Sequence, residues 1–133
     1  MDPVIITEAA NATAERLTGW TPREFTWGPL HRRGRRMLGG ATWILFPNGT
    51  ATFDATVVSR DDNSTWVIWH VDLLDRDGTT LGSLAGEHPV EGDWRKFVKT
   101  MPSNGEHYRF RALATFDKAL WDDIAALKMY SSC

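Results

Sequence analysis

Cysteine is almost absent: there is one in 133 residues, Cys133, at the end of the chain. A single thiol closes no internal disulfide, so stability has to come from packing. Long apolar runs are missing too, and none approaches the ~20 residues that cross a bilayer as a helix. The opening residues Met1-Asp2-Pro3-Val4-Ile5-Ile6 carry neither the basic stretch nor the long apolar stretch of a secretory signal, which leads us to expect a cytoplasmic protein. Charge of one sign is not in excess. Fifteen Lys and Arg face 17 Asp and Glu for a net charge of -2, so there is no global pull toward nucleic acid or an anionic membrane. Familiar catalytic signatures are lacking as well. There is no Gly-x-Ser-x-Gly elbow, and the stretch 34–40 holds neither a Walker lysine nor a dinucleotide fingerprint. The histidines His31, His70, His88 and His107 form no zinc-type spacing. Neither a metal nor a cofactor is expected.

Tryptophan, by contrast, is abundant, with seven copies. Each brings a large apolar surface and one N–H that wants a partner, which suits a bulky core or the lining of a pocket for an apolar ligand. The length, with 42% hydrophobic and 24% charged residues, is that of one globular domain spanning 1–133.

Along the chain, 7–18 reads as a helix, with Thr7 as N-cap, Glu8 in the first turn and Gly19 as the stop. Its thin alanine face suits a brace or a lid. From Arg23 onward the apolar pattern has period two, interrupted by turns, as expected of an all-β domain. Strands are predicted over 24–30, 40–46, 50–57, 65–74, 79–86, 93–100 and 106–114. Phe25 and Trp27 share a face of the first, and Ala51, Phe53, Ala55 and Val57 share a face of the third. Pro47-Asn48-Gly49-Thr50, 60–64, Asp75-Arg76-Asp77-Gly78 and Pro102-Ser103-Asn104-Gly105 are the turns. Asn11, Asn48 and Asn63 stand in Asn-x-Ser/Thr triplets, and we take them as turn formers and not as glycosylation sites. After a short helix over 116–123, residues 124–130 form a closing strand. Seven to nine antiparallel strands joined by tight turns predict a small up-and-down β-barrel, with a sandwich as the alternative.

Chemistry is most visible on 65–74. Strict alternation puts Val67, Trp69, Val71 and Leu73 on one face and Trp66, Ile68, His70, Asp72 and Leu74 on the other. His70 and Asp72 then lie roughly 6 to 7 Å apart along the strand and could polarise a ligand or act as acid and base. Glu87-His88 before Pro89 is a second polar pair, read as solvated. On 106–114, Tyr108, Phe110 and Ala112 read as core or pocket lining, with His107, Arg109 and Arg111 toward solvent. The basic run His31-Arg32-Arg33-Gly34-Arg35-Arg36 is read first as a solvated loop, then as an anion clamp, and least as a single-strand nucleic-acid contact.

Phe25-Thr26-Trp27-Gly28, Pro47-Asn48-Gly49-Thr50-Ala51, Ser59 with Asp61-Asp62 and Trp66, Leu74-Asp75-Arg76-Asp77-Gly78 with Leu81, and the final Cys133 together resemble a small uncharacterised family from actinobacteria. That resemblance covers most of the chain and implies a fold; it supplies no catalytic residue. The size, the tryptophan content and the N-terminal helix also resemble calycin-type barrels that bind small apolar molecules, and the β-barrel cyclases of actinobacterial polyketide pathways. These likenesses imply a calycin-like barrel that folds a reactive substrate into a productive conformation.

The resulting expectation is a small-molecule-binding barrel acting as a cyclase or isomerase on an apolar, polyketide-like intermediate. Trp27, Trp43, Phe53, Trp66 and Tyr108 would shape its cavity, and His70 and Asp72 would polarise the substrate. The alternative is a non-catalytic binding protein for a hydrophobic metabolite or a partner protein. A hydrophobic small molecule is the expected partner, without nucleic acid or membrane; a homodimer is compatible with either reading.

Overall fold

The period-two pattern becomes strands wherever one face can be buried. A computed structural model describes residues 5–10, as backbone, and 21–132. Its strands are β1 (Ile5–Ala10), β2 (Arg23–Trp27), β3 (Leu30–Arg32), β4 (Arg35–Met37), β5 (Ala41–Leu45), β6 (Thr50–Ser59), β7 (Ser64–Leu74), β8 (Thr80–Ser83), β9 (Ala85–Gly86), β10 (Phe97–Met101), β11 (Tyr108–Thr115) and β12 (Ala126–Ser132). A 3₁₀ helix, Lys118–Asp123, precedes β12, so the helix-then-strand order expected of the C-terminal piece is present.

Two antiparallel sheets result. The first runs β1-β12-β7-β10 with β8 beside β7, and the second runs β2-β5-β6-β11-β9 with the β3–β4 hairpin attached to β6. Their facing sides make one core. Phe25, Trp27, Trp43, Phe53, Val57 and Phe110 from the second sheet meet Trp66, Ile68, Val71, Leu73, Phe97, Leu127 and Met129 from the first. Trp43 stacks on Phe53 at 4.8 Å and meets Phe97 edge-on at 5.3 Å, while Phe53 meets Phe110 edge-on at 5.3 Å. These are the separations at which aromatic pairs gain energy beyond area burial.

The all-β antiparallel class is as expected, but the barrel is not closed. Among the described residues no ladder joins the two sheets at either side: β1 pairs only with β12 and β2 only with β5, while β10 pairs with β7 and 108–113 of β11 pair only with β6. Between β10 and β11 the cause lies in the segment 102–107, of which 102–105 were expected to be a hairpin turn. It is tied sideways to the β6–β7 turn instead. Asn104 donates to the Asp62 carboxylate from both its backbone and side-chain nitrogens, at 2.9 and 2.8 Å. The Asn63 N–H donates to the Pro102 carbonyl, and the Gly105 N–H to that of Ser59. Held there, the chain crosses to the other sheet and does not double back.

The N-terminal helix is a second correction. Thr7–Ala10, the start of the predicted 7–18 helix and lid, belong to β1, paired with β12 from Ile5↔Ser131 to Ala10↔Ala126. β12 offers a free edge beyond its pairing with β7, and a ladder along that edge outweighs the helix preference of a short alanine-rich run. The rest of that helix, including Asn11, lies outside the described residues.

Candidate functional site

Where β10 and β11 fail to pair, a cleft of about 530 Å³ opens between them. Buried aromatic rings form its floor: Phe53, Phe97 and Phe110, each at most 6% exposed. Ala112, Val98 and Leu113 line its walls, and the last two are unusual for large apolar side chains in being 39% and 53% exposed. Strand alternation explains half of this. Phe110 and Ala112 point inward from β11, whereas Leu113 follows Arg109 and Arg111 on the outward set.

The segment 87–96 bounds the cleft at the end away from 102–107, bringing Glu87, His88, Val90 and Lys96 to its lining. A tight turn shapes this segment. Glu91 and Gly92 have φ of 52° and 80°, and Val90 and Asp93 exchange backbone hydrogen bonds, the mirror-type turn that suits a twisted pair. Lys96 is 7% exposed, yet its ammonium is placed. It lies 3.0 Å from Glu91 Oε2 and 4.4 Å above the Trp69 ring. The Gly86 N–H donates to the Trp94 carbonyl, and a Cβ at Gly86 would come within 3.2 Å of the Phe97 ring, so glycine lets this segment approach the floor.

The residues expected from the sequence fall in two groups. Trp27, Trp43, Phe53 and Trp66 come together, but in the core between the sheets; of the four only Phe53 also lines the cleft. The indole N–H groups of Trp27, Trp43 and Trp66 find no hydrogen-bond partner among the described residues. His70 and Asp72 also come together, 3.9 Å apart, but outside that core. Asp72 Oδ1 accepts from Ser83 Oγ at 2.8 Å, and His70 stacks on Tyr130 at 4.2 Å.

The predicted common face of Trp66, Ile68, His70 and Asp72 is thus a correction. A β-bulge opposite Tyr130/Ser131 shifts the register within β7. Trp66 and Ile68 point inward before it and Val71 and Leu73 after it, leaving His70 and Asp72 on the outer face. Tyr108 is occupied elsewhere: its hydroxyl accepts from the Ser103 N–H and donates to Glu106, bracing the 102–107 crossing.

Four charged groups are shifted by their surroundings: Asp62 is held below its ordinary value by the hydrogen bonds from Asn104, and Arg109 above its own by Asp54. Asp54, on the outside of β6, receives a two-pronged hydrogen bond from Arg109 at 2.7 and 3.1 Å, which holds its carboxyl below the ordinary value. Arg23 is buried, and burial holds its pKa below the ordinary arginine value, partly countered by Asp122. Among the described residues no group of three or more His, Cys, Asp or Glu is placed to hold a metal, and no helix is long and apolar enough to cross a membrane.

Sequence reasoning named neither Phe97, Val98 and Leu113 nor Lys96 as site residues. The signal that could have found the wall is Leu113, an apolar residue on the arginine-bearing face of its strand.

Fold and cleft together define an all-β domain of two antiparallel sheets, with an apolar, partly charged groove in the open seam between β10 and β11. The chain belongs to a family of unknown function, DUF6294, which matches residues 42–133 and so includes every residue of the cleft. No curated protein and no solved structure matches it.

Proposed function

We propose that this domain binds a hydrophobic small molecule in the cleft between β10 and β11. The observation that carries the reading is a volume of about 530 Å³ floored by Phe53, Phe97 and Phe110 with Val98 and Leu113 left exposed beside it. Small-molecule sites of about 300–1,000 Å³ have this mostly apolar lining with a few polar groups at the edge. Glu87, His88, Lys96 and Arg111 add polar groups at its edge, which favours a ligand with an apolar body and one polar end.

A second reading makes the same cleft catalytic, a cyclase or isomerase working on an apolar, polyketide-like intermediate. The observation favouring it is that Glu87 and His88 reach the lining, where they could hand over a proton beside an apolar bed. The resemblance to calycin-type barrels and actinobacterial polyketide cyclases points the same way, although here the proton chemistry is assigned to His88 in place of His70 and Asp72.

Titration with anilinonaphthalene sulfonate, followed by fluorescence, tests the binding reading. Saturable one-to-one binding is expected. Ala112→Trp, which fills the cleft, and Val98→Glu, which charges its wall, should each weaken binding at least tenfold while the urea midpoint stays near wild type. Unchanged affinity in both variants would overturn the assignment. Once a converted substrate is in hand, the catalytic reading requires His88→Ala to lose turnover while keeping ligand affinity.

A further inference from the structure

One wall of the cleft is a strand edge, and a strand edge is a row of backbone donors and acceptors. β11 pairs with β6 from Tyr108↔Val57 to Thr115↔Thr50, and the Phe116 N–H continues that register by donating to the Gly49 carbonyl. Backbone groups alternate in direction along a strand, so Phe110 and Ala112 turn theirs toward β6. Arg109 and Arg111 therefore turn their N–H and C=O groups the other way, into the seam. On that side β9 pairs only with the end of the strand, through Ala114↔Gly86 and Thr115↔Ala85. Among the described residues no ladder engages the backbone of Arg109 or Arg111 there. β10 shows the same arrangement. The Asn63 N–H donates to the Pro102 carbonyl in the β7–β10 register, so Val98 and Thr100 turn their backbone groups to β7, and Phe97 and Lys99 turn theirs away from it.

We propose that the guest of the cleft is a short, extended oligopeptide, added antiparallel to β11 as one more strand. The proposal rests on the cleft reading above and names its ligand class. A hydrocarbon guest displaces water from the Arg109 and Arg111 backbone groups and gives nothing in return, whereas a peptide answers each donor and acceptor. An antiparallel guest also continues the line of β9 along the same edge. Guest residues bonded to Arg109 and Arg111 point outward with those two side chains, and the guest residues between them point inward onto Phe53, Phe97 and Phe110. Apolar side chains are thus wanted at every second position. The guest begins at the 87–96 end, where Glu87 in the lining is placed to receive its amino group. A segment inside a longer chain would have to leave the line of the strand at both 87–96 and 102–107. The gap therefore favours a free peptide of about five residues, at ~3.3 Å per residue.

The probe is the pentapeptide Val-Thr-Val-Thr-Val, amidated at its carboxyl end, followed by isothermal titration and by amide hydrogen exchange of the full chain. One-to-one binding is expected, with exchange at Arg109 and Arg111 slowed at least tenfold at saturation. N-methylation of either threonine, whose N–H faces β11, should weaken binding at least tenfold, and N-methylation of the central valine should cost much less. Unchanged exchange at both arginines in the peptide complex would overturn the proposal, as would equal losses from all three methylations. A peptide that fails to bind, beside saturable binding of anilinonaphthalene sulfonate, would overturn this inference and leave the cleft reading standing. Failure of both probes removes the cleft reading and this inference with it. Exchange already slow in the free protein, and slower as its concentration rises, would overturn the proposal in favour of a second copy paired along the same edge.

Discussion

Replacing Arg23 by methionine keeps the length of a buried side chain and removes its charge and its donors. In the native chain the Arg23 guanidinium donates to the carbonyls of Trp121 and Ile124, the latter at 3.0 Å, and lies 4.2 Å from the centroid of the Trp121 ring. It thereby ties the end of the 3₁₀ helix and the residue that caps it to β2. In Arg23→Met the Ile124 carbonyl loses its donor and the Trp121 carbonyl keeps only the long bond from the Ile124 N–H at 3.4 Å, at about 1–3 kcal/mol each. The cation–ring contact adds about 0.5–2 kcal/mol. Opposing these is the release of a cation whose burial already depresses its pKa. The balance leaves a net loss of about 2–4 kcal/mol, a large part of the roughly 5–15 kcal/mol that holds a domain folded. Urea denaturation followed by tryptophan fluorescence measures it, and the midpoint should fall with little change in slope. Arg23→Lys, which keeps the charge but has no fork to span two carbonyls, should fall between. A methionine variant as stable as wild type would refute the reasoning, because the cost of burying the cation would then equal everything it binds.

Two further outcomes follow from the geometry. Asp54 has its folded pKa depressed chiefly by hydrogen bonding from Arg109; desolvation opposes this, and the positive charges of Arg109 and Arg111 add to the depression. Its contribution to stability is therefore complete above the unfolded carboxylate value of about 3.9 and is lost as pH falls through the lower folded value. Urea midpoints of wild type and Asp54→Asn, separated at pH 6, should converge in strong acid; a constant separation would contradict this sign. Gly49→Ala should cost roughly 2 kcal/mol or more in the same assay. Gly49 sits at φ 90°, a new Cβ would lie 2.9 Å from the Phe116 carbonyl, and the Phe116 N–H bonded to the Gly49 carbonyl keeps the two segments from parting.

Local pattern carried much of the fold into view. Ala51, Phe53, Ala55 and Val57 alternate inward as expected, Phe25 and Trp27 share a buried face, and the Asn48-Gly49 turn closes with Asn48 Oδ1 accepting from Thr50. These features depend on residues a few positions apart. The bulge in β7 does not. Nothing between Trp66 and Asp72 marks it, because large apolar and polar side chains are accommodated on either face; only the register against β12 reveals which way His70 points. The open seam was hidden for a similar reason. The stretch 102–105 is a good hairpin turn on its own, and it is Asp62, some forty positions earlier, that draws it aside. Arg23 escaped notice because a charged residue opening a strand is ordinarily solvated, and its buried partners come from the opposite end of the chain.

The stretch of β11 that lacks a second neighbour, 108–113, is enclosed by the 102–107 crossing at one end and by 87–96 at the other. At about 3.3 Å per residue this span measures some 20 Å. For the guest proposed above, the gap would act as a ruler as well as a groove, limiting its length before any single contact discriminates. The same end-stops limit how long a strand could be added along the free edges of β10 and β11, which confines edge-to-edge pairing there to a short stretch.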